Sequence, residues 1–418
     1  MRLRYLRRRR RNLGPSPAGA PMLSDLVVLE LASVLAGPSV GQFFAELGAT
    51  VIKVENPRTR GDVTRRWILP NENTTDDRSA YFCCCNYGKQ SLALDLTTEA
   101  GQEVLHTLVA KADVVIASYR PGTAEKLGAD ASTLSTLNPA LLYGHITGYG
   151  PDNPRAGYDA VIQAESGFMA MNGAPDGPPT KLPVALMDVL AAHQLKQALL
   201  VGLLQRTTTG RGGYFPVSLM QAAVSGLANQ ATNYLVAGHV PERMGSAHPN
   251  IAPYGTPYRT ADSAEVILAV GTDRQFAVLC DVLGIPELSS DARFATNAAR
   301  VQHRAALDEA LGRVISNHQQ MPLLEALQAL HVPAGAVRTL PDVFSDPHVA
   351  PMVHQAENTE APPGLRQSPP APVSPDAPLR PPPRYGADTA AVLRSHAGLA
   401  PDAIRQLHGA GVVEGGGE

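Results

Sequence analysis

The chain has 418 residues, 44% of them hydrophobic and 17% charged, with a formal net charge of -3; it is long enough to bury a large core in two lobes. Its most apolar stretch, Leu186 to Leu204, is interrupted by Asp188, His193, Gln194 and Lys196, so no run reaches the roughly 18 to 20 residues of a membrane-spanning helix. These properties argue against a membrane protein and predict a soluble one.

Seven arginines (Arg2, Arg4 and Arg7 to Arg11) precede residue 12, and without them the remainder carries -10. A basic run can serve a nucleic acid or a transit signal, but residues 12 to 21 read as a Gly/Pro/Ala linker ahead of a strand-like run. Residues 1–21 are therefore expected to be a disordered tail or a non-native start, with no nucleic-acid partner. The four cysteines, Cys83, Cys84, Cys85 and Cys280, form no CxxC pair, which predicts small buried thiols in a reducing cytoplasm and no metal site.

From Leu26 the pattern alternates between strand-like and amphipathic segments. Residues 26 to 31 read as a strand, Ser39 to Leu47 as a helix, and Thr50 to Val54 as a second strand, together a βαβ unit. In the next cycle Leu92, Leu94 and Leu96 alternate, and Thr97 and Thr98 can cap a helix carrying Val104, Leu105, Leu108 and Val109 on one face. Asp113 to Ile116 and Leu141 to Thr147 read as further strands, which predicts a doubly wound, Rossmann-like α/β sheet. A long helix is predicted from Leu186 to Gln205, ended by Gly210, Gly212 and Gly213, with a short strand at 215–219. Beyond residue 240 short strands such as Val266 to Val270, and helices within 302–331, suit a smaller α+β domain. Proline dominates 361–383, predicting an extended arm, and short helices follow at Thr389 to Leu393 and Pro401 to Leu407. The expected division is a large domain over 22–220, a small one over 221–330, and a return to the large domain over 331–418.

Three segments could carry chemistry. Gly37-Pro38-Ser39-Val40-Gly41 fits the G-x-S-x-G pattern, but a hydrolase elbow puts its serine at a strand end; the alternative is a turn whose amides open onto a helix N-terminus. Cations and aromatics recur after the early strands, at Asn56 to Arg58, Asn86 to Lys89 and Ser118 to Gly122. In a parallel sheet these loops converge on one crevice suited to a phosphate-bearing, ring-containing ligand. No G-x-G-x-x-G or P-loop pattern supports NAD or ATP. The third segment, Gly157-Tyr158-Asp159, puts a carboxylate at the start of a helix. There it can be a simple N-cap or a fixed nucleophile.

From Leu23 to Val413 the sequence resembles the class III CoA-transferase family, of the CaiB/BaiF type. The resemblance rests on segments in order: Val34 to Pro38, Val51 to Glu55, Gly61-Asp62, Asn86 with Gly88-Lys89, Leu94 to Leu96, Arg120 to Gly122, Gly148 to Gly150, Gly157 to Asp159, Thr209 to Gly212 and His248-Pro249. It implies that Asp159 carries the acyl group and CoA, with no permanently bound cofactor. It also implies CoA contacts at Val34 and Leu35, Asn56 and Arg58, Asn86 and Lys89, Tyr119 and Lys126, and Thr147, Gly148 and Tyr149. The partners it implies are acyl-CoA and small carboxylic acids, with the enzyme an interlocked homodimer.

Racemases of α-methylacyl-CoA share the fold but place a histidine immediately before the aspartate, where this chain has Tyr158. Their second acid corresponds to Asp188, which is present. A non-catalytic CoA-binding protein is the other alternative. Pro216 and Gln221 stand where relatives often carry acids, and no glycine run resembles the flap of oxalate-acting members.

Overall fold

The computed structural model describes residues 22–73, 75–355, 361–369 and 379–416. The basic segment 1–21 and the centre of the proline-rich segment, 370–378, lie outside them. The chain forms two compact units: one holds 22–162, 184–226 and 350–416, the other 163–183 and 227–349. These boundaries differ from those expected at 220 and 330. Leu219–Gly226 is a helix that buries Leu219, Ala222 and Ala223 against the long helix of the first unit, and Ala334–Ala336 adds a strand to the sheet of the second.

The first unit is built on β1 (Val27–Leu31), α1 (Ala36–Glu46), β2 (Thr50–Glu55), β3 (Lys89–Leu94), α2 (Glu99–Val109), β4 (Val114–Ala117), β5 (Leu142–Thr147), α3 (Asp159–Glu165), α4 (Leu186–Thr209) and β6 (Gly213–Ser218). Its seven-stranded sheet runs β3-β2-β1-β4-β5-β6, with Val413–Glu414 antiparallel on the outer side of β3. All other neighbours are parallel, in the doubly wound order that reverses between β1 and β4.

Helices cover both faces, so β3 and β5 are buried nearly throughout rather than on alternate residues. On one face Leu105, Leu108 and Val109 of α2 join Ile52, Val115 and Leu393 in a single core. Thr98 caps α2, its side chain accepting from the Gly101 N–H. Pro216 lies inside β6, which the sheet tolerates because β6, among the described residues, is an edge strand with β5 as its only neighbour in the ladder.

The second unit pairs β7 (Tyr254–Arg259), β8 (Glu265–Ala269) and β9 (Ala334–Ala336) antiparallel. Its core gathers Phe276, Leu279, Leu307, Leu311 and Leu327 from the helices α5 (Asp273–Val282), α6 (Arg304–Ile315) and α7 (Gln320–Ala329).

The glycine-containing segment 37–41 lies within α1, and Ser39 is 3% exposed, so this serine is not at a hydrolase elbow. Gly41 is required by close packing, since a Cβ there would stand 1.8 Å from Glu30 Oε2. That contact brings α1 onto a buried charge cluster. Lys53 Nζ lies 2.9 Å from both Glu30 and Asp62, and Lys89 Nζ lies 2.7 Å from Glu30. Beside them Arg65 makes a two-pronged pair with Glu55 at 2.8 and 2.7 Å. Burial alone would push the Asp62 carboxyl up, but the Lys53 charge and hydrogen bonds from Lys53 and Thr64 hold it below the ordinary carboxylate value.

Removing one member of such a cluster strands its partners' charges. Lys53→Met is therefore expected to cost about 3–5 kcal/mol of stability, read as a lowered urea midpoint at unchanged slope.

Candidate functional site

The reversal between β1 and β4 opens a crevice at their carboxyl ends, where doubly wound sheets bind ligands. The turn after β1 supplies Val34 and Leu35, the loop after β4 supplies Ser118 to Pro121, and the end of β5 supplies Thr147 and Gly148. All of them line a cleft of about 180 Å³. Its remaining wall comes from Asn153, Arg155, Gly157, Tyr158 and Asp188. An adjoining crevice, lined by Asn56, Thr59, Gly61 and Arg66, shares Ser33, Ser118 and Tyr119 with the cleft.

Val34 has φ +75°, a left-handed conformation that costs a β-branched residue on the order of 1–3 kcal/mol. The charge cluster holds it there. Its N–H donates to the Asp62 carboxylate at 3.2 and 3.3 Å, and its carbonyl accepts from the Cys85 thiol at 3.6 Å. Leu35 then occupies the N-cap of α1, so the turn presents a helix N-terminus to the cleft.

Asp159 is the first residue of α3 and is 8% exposed. Its carboxylate accepts the Met187 N–H at 2.8 Å, in the first turn of α4. The positive ends of two helix dipoles thus meet at one carboxylate. Its approach is set by two glycines whose backbones touch: a Cβ on Gly157 would fall 2.4 Å from Gly148 Cα. The loop carrying the nucleophile candidate is thereby pinned to the end of β5.

Asp188, one residue beyond Met187, lines the cleft. Burial and the Asp159 charge push it up to about 7, so near neutral pH this second carboxyl holds a proton for much of the time. Tyr81 is raised by burial and then by Asp188, which puts its phenol in the same electrostatic environment. Tyr158, immediately before Asp159, is 60% exposed.

The other residues of the expected CoA site divide by location. Val34, Leu35, Tyr119, Thr147 and Gly148 line the cleft and Asn56 the adjoining crevice. The Tyr149 ring stacks under the Arg155 guanidinium at 4.3 Å. The Arg58 side chain is 64% exposed and pairs with Asp95 at 2.7 Å, and Lys126 is an exposed residue of a short helix. Asn86 and Lys89 are fully buried: the ammonium donates to Asn86 Oδ1 and Pro38 O, both at 2.8 Å. Those side chains are engaged in the cluster beneath the Val34 turn. Sequence reasoning missed Arg155 and Tyr81. Arg155 could have been found from its place between the Gly-Tyr-Gly and Gly-Tyr-Asp segments, whereas Tyr81 carries no local signal. Among the described residues no group of His, Cys, Asp and Glu is arranged to hold a metal, and no helix is long and apolar enough to cross a membrane.

A carboxylate anchored at two helix N-termini, beside a crevice at the switch point, defines an α/β protein able to present a fixed nucleophile to a nucleotide-like ligand. The chain belongs to CoA-transferase family III, whose model matches residues 23–389. It is 41% identical over 339 residues to the succinate–glutarate CoA-transferase of Agrobacterium fabrum, covering 80% of this chain and 84% of that one. The human succinyl-CoA:glutarate CoA-transferase is 33% identical over 403 residues, 94% of this chain and 90% of that one. Among solved structures, a CaiB/BaiF family protein from Brucella suis superposes with a TM-score of 0.76 at 40% identity, covering 90% of this chain and 100% of that one. The protein is a CoA-transferase, of a family whose substrates are CoA thioesters.

The raised pKa of Asp188 has a definite sign in stability. Between its ordinary value of 3.8 and about 7 the folded state holds a proton that the unfolded state has released, so stability falls as pH rises through that window. Asp188→Asn is expected to abolish this decline, leaving the variant more stable than the parent above pH 7 by about 1–3 kcal/mol after allowance for water in the cleft. Thermal unfolding from pH 4 to 8 reads it.

Proposed function

We propose that Asp159 is the covalent nucleophile of CoA transfer, a reading supported chiefly by its carboxylate bonded to the first turn of α4 beside the cleft at the sheet reversal. One oxygen of Asp159 attacks the thioester carbonyl carbon of the donor, the C–S bond breaks, and CoA leaves as thiolate while a mixed aspartyl anhydride forms. The thiolate then attacks the aspartyl carbonyl of the anhydride, releasing the donor as a free carboxylate and leaving an aspartyl-CoA thioester. An acceptor carboxylate attacks that thioester, giving the second anhydride and thiolate. Attack of the thiolate on the acceptor carbonyl yields the new acyl-CoA and frees Asp159. No net proton is needed.

The first step is uphill, because a carboxylate of pKa ~4 displaces a thiolate of pKa ~8.5, a mismatch of about 6 kcal/mol taken naively. Binding of the remote CoA body and backbone amides aimed at the tetrahedral oxyanion must offset it. The Val34–Leu35 turn and Gly148 bring main chain to the cleft. Asp188, raised to about 7, adds less repulsion against an incoming carboxylate than an ordinary aspartate would.

The names of the relatives favour dicarboxylic acids of four or five carbons, with a succinyl donor. Tyr158 in place of a histidine favours transfer over α-proton exchange, which needs a base of suitable pKa on each face of the carbon. Large apolar side chains left exposed, such as Leu204, Leu235 and Val236, favour a homodimer, and the buried free thiols favour a reducing cytoplasm.

Incubation with succinyl-CoA and labelled glutarate should transfer CoA to the label. Rapid quenching should give a CoA or acyl mass increment on the peptide containing Asp159. Asp159→Ala should lose the adduct and at least roughly 1000-fold in kcat. An adduct elsewhere, or an active Asp159→Ala, overturns the assignment.

A further inference from the structure

Strand β5 carries a histidine that the thioester chemistry does not use. His145 is 8% exposed, and both its ring nitrogens are engaged: Nε2 lies 2.8 Å from the Tyr119 carbonyl oxygen, Nδ1 2.8 Å from Tyr214 Oη. A carbonyl only accepts, so Nε2 carries the hydrogen. In the neutral ring Nδ1 is then the acceptor, and the Tyr214 hydroxyl donates to it. Burial lowers the imidazole below its ordinary 6.5, against the opposing pull of the Tyr119 carbonyl and Glu125, which is consistent with this neutral tautomer.

The carbonyl it holds is well placed to matter. Tyr119 stands two residues past the end of β4, and Ala117, the last residue of that strand, pairs with His145 in register. Tyr119 also lines both the cleft and the adjoining crevice, so it forms the wall they share. Its carbonyl is the point at which the β4 loop is tied back to the sheet.

We propose that His145 is a positioning residue for the CoA thioester. Fixed as the Nε2–H tautomer by Tyr214, it anchors the Tyr119 carbonyl and with it the loop 118–121 that walls the two crevices. The inference rests on the reading that CoA occupies this cleft. Loss of the anchor leaves a carbonyl unsatisfied and the wall free to move, which weakens thioester binding more than the chemistry at Asp159.

The test is steady-state exchange with His145→Leu, His145→Gln and Tyr214→Phe. For His145→Leu the KM for succinyl-CoA should rise about five- to tenfold, one to two hydrogen bonds' worth, with kcat and the KM for glutarate within about twofold. His145→Gln, whose amide can still donate to the Tyr119 carbonyl, should recover most of the loss. If His145→Leu does not fold, Tyr214→Phe carries the test, since Tyr214 is 43% exposed. Its KM for succinyl-CoA should rise, and the ¹⁵N shifts of the His145 ring should change from a single Nε2–H tautomer to a mixture. An Nδ1–H ring in the parent protein, or a KM for succinyl-CoA unchanged in both His145→Leu and Tyr214→Phe, overturns the proposal. Failure of the Asp159 mechanism would show separately, as a parent protein that exchanges CoA without an Asp159 adduct, and the tautomer measurement would be unaffected by it.

Discussion

The constraint on which the rest of the first unit depends is the closed set of buried charges under the turn after β1. Lys53 sits between Glu30 and Asp62, Lys89 closes on Glu30, and Asp62 in turn accepts the N–H of Val34. A valine at positive φ persists only where its surroundings over-determine it. Here they do, because the same carboxylate answers a lysine, a threonine and the strained backbone. The cluster's value lies less in net stability, which buried ion pairs seldom supply, than in specifying one geometry for a turn that forms the cleft.

On the other side of the cleft the same purpose is met by backbone alone. Gly148 and Gly157 touch, and Met187 offers its N–H to Asp159, so the proposed nucleophile is held by a strand end and a helix end. Two carboxyls in one site are kept from competing by environment: Asp159 receives an amide, while Asp188 is pushed up by burial and by its neighbour's charge. A carboxyl raised in this way carries a proton near neutral pH for much of the time.

Much of this was legible in the sequence. The alternation from Leu26 to Thr147 gave the strands and their doubly wound order, because parallel strands covered on both faces produce dense apolar runs. The convergence of loops at the switch point reached the loop with Tyr119, whereas Val34, Leu35, Thr147 and Gly148 came only from the family resemblance; all five line the cleft. Asp159 was legible only as a residue opening a helix; that a second helix would meet it depends on a contact across 28 residues, which no local pattern encodes. Asn86 and Lys89 read as crevice residues in a loop after a strand, but Lys89 instead opens β3. Their burial follows from the approach of α1 to β1, a packing fact invisible to periodicity. His145 read as part of a buried strand, and its tie to Tyr119 and Tyr214 joins three strands' worth of chain.

Pro216 has a consequence for self-association. Strand β6 closes the sheet with one flank unpaired among the described residues, the kind of edge that recruits a foreign strand into a continuous ladder. A proline at the middle of that strand has no N–H to give to a ladder and fixes the backbone torsion there. A proline in this edge strand therefore works against sheet-to-sheet joining through β6.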